Sequence, residues 1–178
     1  MLIVGLGVTR LLSALVDRFR DRDINKPHWI SLTWALLVFI FQMQFLWAAF
    51  ELSSLIETWS VTAFIFIIVY ALTLFLAGVL VVPRAGVKED TDAFTYFLKD
   101  GRWALPVLAF MQTWAFLINP VLFRTPFFSL YNLLGIPGIV ILMLTFFSKS
   151  KRWWTIGTLL FLIYDIIMIV KVIPGQYQ

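Results

Sequence analysis

The sequence contains no cysteine, a single histidine and few charged residues. Without cysteine the chain forms no disulfide framework and no thiolate metal site. Its one histidine, His28, is too little for a zinc constellation or for a His/Cys nucleophile system. We therefore expect no cofactor, no metal and no enzymatic activity. Charged residues make up 13% of the chain, against about 25% in ordinary soluble domains.

Apolar residues, in contrast, are in excess. Of the 178 residues, 61% are hydrophobic and 17% are aromatic, whereas an ordinary soluble domain is about 45–50% apolar. A chain of this size cannot bury so much apolar surface in water. The composition thus excludes a soluble enzyme, a disulfide-stabilised secreted domain and a disordered tail. We expect an all-α, polytopic integral membrane protein whose main contact is the lipid bilayer.

Six apolar stretches predict membrane segments within one transmembrane domain, 1–178. A membrane-spanning helix needs about 20 mostly apolar residues, and five of the stretches meet this length. The first is shorter and contains Arg10, so it either spans as a short helix or lies partly in the interface. The six segments are 2–16, 29–53, 58–82, 103–123, 128–147 and 153–173.

The basic residues indicate how the chain is threaded. Eleven of the fourteen Lys and Arg residues lie in three alternate loops, 17–28, 83–102 and 148–152. Since positively charged loops stay on the cytoplasmic side, these loops are predicted to be cytoplasmic and the C-terminus to lie outside. We expect the membrane to be a bacterial inner membrane. Because the basic residues fall in short loops between apolar segments, the net charge of +4 does not indicate a nucleic-acid partner.

The loop 83–102 contains a pattern typical of a short amphipathic helix. Asp90, Thr91 and Asp92 favour a helix start, and the apolar residues of 93–99 share one face. We predict a helix lying on the cytoplasmic surface, with an ordinary loop as the alternative.

Asp165 is the one acid that the segments place near the middle of the membrane. It lies about 12 residues, roughly 18 Å, into the last segment, where ionisable groups are costly. It forms either a proton or cation site or a structural bond between helices. Thr158 shares its helix face. Arg10 is a candidate partner for Asp165, and otherwise its side chain extends to the cytoplasmic headgroups.

Four amide side chains also lie within predicted segments. Gln42 and Gln44 are about 200° apart around the second segment and predict polar groups on two of its faces. Gln112 and Asn119 share one face of the fourth segment. Such amides either bond neighbouring helices together or line a polar pathway.

Gly135, Pro137 and Gly138 predict a helix break in the fifth segment. Proline removes a backbone hydrogen-bond donor, and glycines weaken the helix around it. Broken helices surround ion or substrate sites in many transporters, and a simple proline kink is the alternative.

The N-terminal third resembles a group of uncharacterised bacterial multi-pass membrane proteins. Residues 5–12 read GLGVTRLL, and a basic loop and a helix with Trp34, Gln44 and Trp47 follow. The resemblance implies that Arg10, Gln44 and Trp47 belong to a pattern shared by the group, and it implies no activity.

Together these features predict a small channel or transporter, or a subunit of one. It would move an ion, a proton or a small solute along a polar path at mid-membrane. The alternative is a non-catalytic accessory subunit that binds another membrane protein or a lipid. In either case we expect a homo-oligomer or a place in a larger membrane complex.

Overall fold

The computed structural model describes residues 2–20, 28–55, 60–82, 93–123 and 126–172. Within these ranges the chain is helical and contains no β-strand, so the predicted all-α class is confirmed. In chain order the helices are α1 (Leu2–Arg20), α2 (Trp29–Leu55), α3 (Val61–Val81), α4 (Ala93–Lys99), α5 (Ala104–Phe123), α6 (Leu130–Phe146) and α7 (Lys151–Ile167). A 3₁₀ turn, Gly101–Trp103, leads into α5, and a π-helical turn, Met168–Val172, extends α7.

Helices occur at all six predicted membrane segments. Among the described residues, four stretches are long and apolar enough to cross a membrane, and they are Trp29–Leu52, Val61–Val81, Gly101–Leu122 and Lys151–Val170. The apolar stretch in α6, Asn132–Phe146, is shorter. Helix α1 has 19 residues and so extends beyond the predicted 2–16.

Five of the helices form a closed ring. Helix α2 packs against α3, α3 against α5, α5 against α6, α6 against α7, and α7 returns to α2. Helix α1 lies outside this ring and packs against α3 and α2. On the outer surface Leu72, Leu144 and Ile163 are exposed, as a lipid-facing surface requires.

Helix α4 confirms the helix predicted at 93–99, but its apolar face packs on protein. Phe97 is fully buried, with its ring centre 5.6 Å from that of Trp154 at the start of α7. The ring of Phe94 lies 4.5 Å from that of His28, which precedes α2, and the Nζ atom of Lys151 lies 5.2 Å from the Phe94 ring centre. Helix α4 therefore covers one end of the ring. The acidic residues before it, Asp90 to Asp92, lie outside the described residues.

The same end also receives the start of α5 and the end of α6. The ring of Trp103 lies 5.2 Å from that of Phe146, and the guanidinium carbon of Arg102 lies 5.6 Å from the same ring. We call this the basic end of the bundle. It carries the side chains of Lys99, Arg102, Lys149, Lys151 and Arg152.

Contact between α6 and α7 depends on Gly157, which gives a first testable prediction. A Cβ atom at Gly157 would collide with the side chain of Thr145 and come within 2.9 Å of its Cβ and Cγ2 atoms. Overpacking of this kind costs about 1–3 kcal/mol. We therefore expect Gly157→Ala to lower the melting temperature of the detergent-solubilised protein by several degrees.

A matched control for this change is Gly5→Ala, because a Cβ atom there meets nothing within 4 Å. Alanine is the better helix former, so Gly5→Ala is expected to leave the melting temperature unchanged or to raise it slightly. Equal melting temperatures for the two variants would contradict the tight contact at Gly157.

Candidate functional site

A cavity of about 590 Å³ lies inside the ring, with walls from α2, α3, α5, α6 and α7. Leu52, near the end of α2, and Leu122, near the end of α5, belong to its lining. The cavity thus extends from the middle of the bundle toward the end opposite the basic end. Its volume lies in the range of about 300–1,000 Å³ that is common for small-molecule sites.

Four of the polar residues singled out in the sequence meet in this cavity. Gln44 reaches it from α2, Gln112 and Asn119 from α5, and Asp165 from α7. Asp165 lies 14 residues after Lys151, the first residue of α7, and so about 21 Å from the basic end. The cavity therefore gathers polar groups from three helices between the middle of the bundle and the end opposite the basic end.

Three of these side chains present buried polar atoms that have no hydrogen-bond partner among the described residues. The atoms are Oδ2 of Asp165, Nε2 of Gln44 and Oε1 of Gln112. The Asp165 side chain is only 3% exposed. A buried unpaired polar atom costs about 1–3 kcal/mol, and more when the group is charged. A polar or charged ligand that reached these atoms would supply the hydrogen bonds that they lack.

The predicted pair between Arg10 and Asp165 is not formed. Arg10 lies on α1, which packs against α3 and α2, whereas Asp165 lies on α7, which packs against α6 and α2. Between these two described residues there is no hydrogen bond or ion pair. Arg10 is partly buried, and the extension of its side chain to the headgroups stays a prediction.

Thr158 lies on the same helix as Asp165 but outside the cavity. Its Oγ1 atom accepts a hydrogen bond from Nε1 of Trp34 at 3.0 Å and donates one to the backbone oxygen of Trp154 at 2.7 Å. The hydroxyl group thus both accepts and donates within the protein, and the bond from Trp34 holds α2 against α7. It does not line the predicted path.

Gln42 and Gln44 lie on different sides of α2, and only Gln44 reaches the cavity. The Nε2 atom of Gln42 donates to the backbone oxygen of Leu74 at 3.4 Å. It fits between Gly7 and Gly78, where a Cβ atom at either position would lie 2.9 Å from it. Gln42 therefore bonds α2 to α3 beside α1 and does not line this cavity. Its Oε1 atom is buried and has no hydrogen-bond partner among the described residues.

A layer of aromatic side chains closes the cavity toward the basic end. It consists of Trp34, Phe41 and Phe161. The ring centre of Phe161 lies 5.3 Å from that of Trp34 and 6.2 Å from that of Phe41. Trp34 and Phe161 are fully buried, and Phe41 is 8% exposed. We call this group the aromatic layer. In this conformation it separates Asp165 from the basic end of the bundle.

The helix break predicted at Gly135, Pro137 and Gly138 is not present, since α6 continues through all three residues. A Cβ atom at Gly138 would lie 2.5 Å from Oε1 of Gln112 and 2.6 Å from Cε1 of Tyr164. Gly138 is thus a point of close approach that lets both side chains reach the cavity. The hydroxyl group of Tyr164 donates to the backbone oxygen of Leu134 at 3.0 Å.

Sequence reasoning missed three polar residues of the lining, Tyr70, Asn132 and Tyr164. Nδ2 of Asn119 donates to Oδ1 of Asn132 at 2.7 Å, and Nδ2 of Asn132 donates to the backbone oxygen of Phe127 at 3.0 Å. This pair bonds α5 to α6 where both helices border the cavity. Asn132 could have been found from the sequence as an amide near the start of an apolar segment. For Tyr164 the sequence indicates only that it precedes Asp165.

Comparison with known proteins finds no match to this chain among family models, curated proteins or solved structures. The resemblance of the N-terminal third to uncharacterised bacterial multi-pass membrane proteins therefore stays a prediction. The function is argued from the cavity and its side chains.

Proposed function

We propose that this protein is a small membrane transporter that binds a solute in the cavity and releases it on the other side of the membrane. The observation that carries the proposal is the set of unpartnered atoms on Asp165, Gln44 and Gln112 around one cavity. Thr158, in contrast, bonds two helices together and lies outside the cavity. Asp165, Gln44 and Gln112 line one cavity, and each keeps one polar atom unpaired among the described residues.

The same proposal includes the threading of the chain. We propose that the five ring helices cross the bilayer, that α1 is a short peripheral span, and that the basic end is cytoplasmic. Helix α6 has 17 residues, which is the lower limit of the usual range of about 17–25 for a span. The clustering of basic side chains at one end agrees with this orientation. The cavity would then extend toward the outside.

A carrier fits the aromatic layer better than a permanently open channel does. A channel requires a continuous path, but Trp34 and Phe161 fill the space between Asp165 and the basic end. Transport therefore requires a second conformation in which this layer opens and the outer side closes. Alternation of this kind is the usual behaviour of transporters with a site at mid-membrane.

A second candidate is a non-catalytic subunit that holds a lipid chain in the cavity. It is favoured by the many apolar residues of the lining, such as Phe45, Phe116 and Ile139. A lipid chain would fill this part of the cavity and would need no access from water.

The lack of cysteine in the chain allows a direct test of transport. Ala48→Cys and Ala115→Cys place single thiols on the lining from α2 and α5. We expect a membrane-impermeant methanethiosulfonate reagent to label both thiols from either side of sealed, oriented vesicles, because a carrier opens its site to both sides. The control is Ala77→Cys, whose fully buried position on α3 is outside the lining and is expected to stay unlabelled.

The alternatives give different labelling patterns. Labelling of the lining thiols from one side only would contradict transport and favour a binding role. An absence of labelling from both sides would also contradict it and would favour a cavity filled by lipid.

A further inference from the structure

We propose that the cavity binds a lipophilic organic cation, a molecule that carries one delocalised positive charge on a mostly aromatic or aliphatic frame. The inference depends on the proposed function for its role in transport. Binding itself is measured independently of transport.

The charge of the ligand follows from the ionisable groups of the lining. Asp165 is the acidic side chain in the cavity wall, and the described lining contains no Lys, Arg or His. The carboxylate is 3% exposed, and its Oδ2 atom lacks a partner. In a medium of low dielectric constant such a carboxylate attracts a cation and repels an anion far more strongly than in water.

The aromatic lining also suits a positive charge. The rings that border the cavity are those of Phe41, Phe45, Trp47, Tyr70, Phe116 and Tyr164. Phe45 and Tyr70 are stacked, with centres 5.3 Å apart and an angle of 13° between the planes. Aromatic faces attract cations, most strongly where water is excluded. These rings therefore complement both the charge and the apolar frame of the ligand.

Size and ligand chemistry argue against a metal ion. Calcium and magnesium take six or more oxygen ligands, whereas the described residues contain no group of three His, Asp or Glu side chains that could hold a metal. A small inorganic cation would leave most of the 590 Å³ empty. Oε1 of Gln112 and Nε2 of Gln44 add one acceptor and one donor that can orient a larger organic molecule.

Two probe ions of nearly the same shape and opposite charge test the inference. Tetraphenylphosphonium and tetraphenylborate are measured separately by equilibrium dialysis against the full-length protein in detergent, with uptake by protein-free micelles subtracted. We expect Asp165→Asn to raise the dissociation constant of the phosphonium at least tenfold and to leave borate binding unchanged or stronger. Asp165→Glu keeps the charge and is expected to retain most of the phosphonium binding.

The control is Asp100→Asn, which removes an exposed carboxylate at the basic end and is expected to change neither dissociation constant. One comparison needs only the wild-type protein and so does not depend on the folding of a variant. The wild type is expected to bind the phosphonium more tightly than the borate. Equal binding of the two ions, or an equal effect of Asp165→Asn on both, would overturn the inference. Charge-selective binding without thiol labelling from both sides would support the inference and refute transport. Thiol labelling from both sides without charge-selective binding would refute the inference and leave transport supported.

Discussion

Ethidium uptake by proteoliposomes is expected to fall to the rate of protein-free vesicles when Asp165 is replaced with asparagine. Asp165 supplies the negative charge of the described cavity lining, so the variant would have to hold an unpaired cation in an apolar space. Leaving one buried charge of a pair without its partner costs about 3–5 kcal/mol. Since about 1.4 kcal/mol corresponds to a factor of ten, the expected loss exceeds 100-fold. The rate is measured as fluorescence gain in DNA-filled vesicles with an inside-negative potassium diffusion potential.

Asp100→Asn is the matched control, because it removes a carboxylate that is exposed and lies outside the cavity. Its uptake rate is expected to equal that of the wild type. The melting temperature of Asp165→Asn should stay within a few degrees of the wild-type value, since Oδ2 of Asp165 has no described partner to lose. Normal uptake by Asp165→Asn, or a large drop in its melting temperature, would instead make this carboxylate a structural group.

Filling the cavity with Ala115→Phe is expected to weaken the binding of tetraphenylphosphonium and to make the protein more stable. Ala115 lines the cavity from α5, and a benzyl side chain there would occupy the space that the ligand needs. Burial of additional apolar surface contributes about 25 cal/mol per Å², and cavity filling commonly adds about 0.5–2 kcal/mol of stability. We expect the dissociation constant to rise at least tenfold and the melting temperature to rise by a few degrees.

Leu117→Phe is the control for this change. Leu117 lies on the same helix, is 39% exposed and does not belong to the cavity lining. Its replacement is expected to leave ligand binding unchanged, because the new ring would face lipid. If Ala115→Phe binds tetraphenylphosphonium as the wild type does, the ligand does not occupy this cavity.

The positions of the helices were predictable because they depend on local properties of the chain. A run of about 20 apolar residues forms a helix in or near a membrane whatever its neighbours are. The face of α4 was predictable for the same reason, since Phe94 and Phe97 follow the helical repeat and both are buried. The surface that this face contacts was not predictable. Sequence reasoning placed it on the membrane surface, whereas in the structure it packs against other parts of the protein.

The errors concern contacts between helices. Arg10 and Asp165 both lie within apolar helices, and this suggested a pair, but their helices are not packed against each other. The break predicted at Pro137 is absent because a proline in an apolar bundle helix is accommodated by its surroundings. Depth along a helix and the type of residue do not reveal which two helices are neighbours.

Composition and the distribution of basic residues were enough to predict apolar helices that suit a membrane and to predict a threading for them, because both are sums over many residues and need no knowledge of contacts. The selection among the polar side chains required the tertiary structure. Gln42 and Gln44 are chemically identical and two residues apart, yet Gln42 bonds α2 to α3 and Gln44 lines the cavity. The difference arises because the two faces of α2 contact different neighbours. Those neighbours are determined by the way in which the five helices close into a ring.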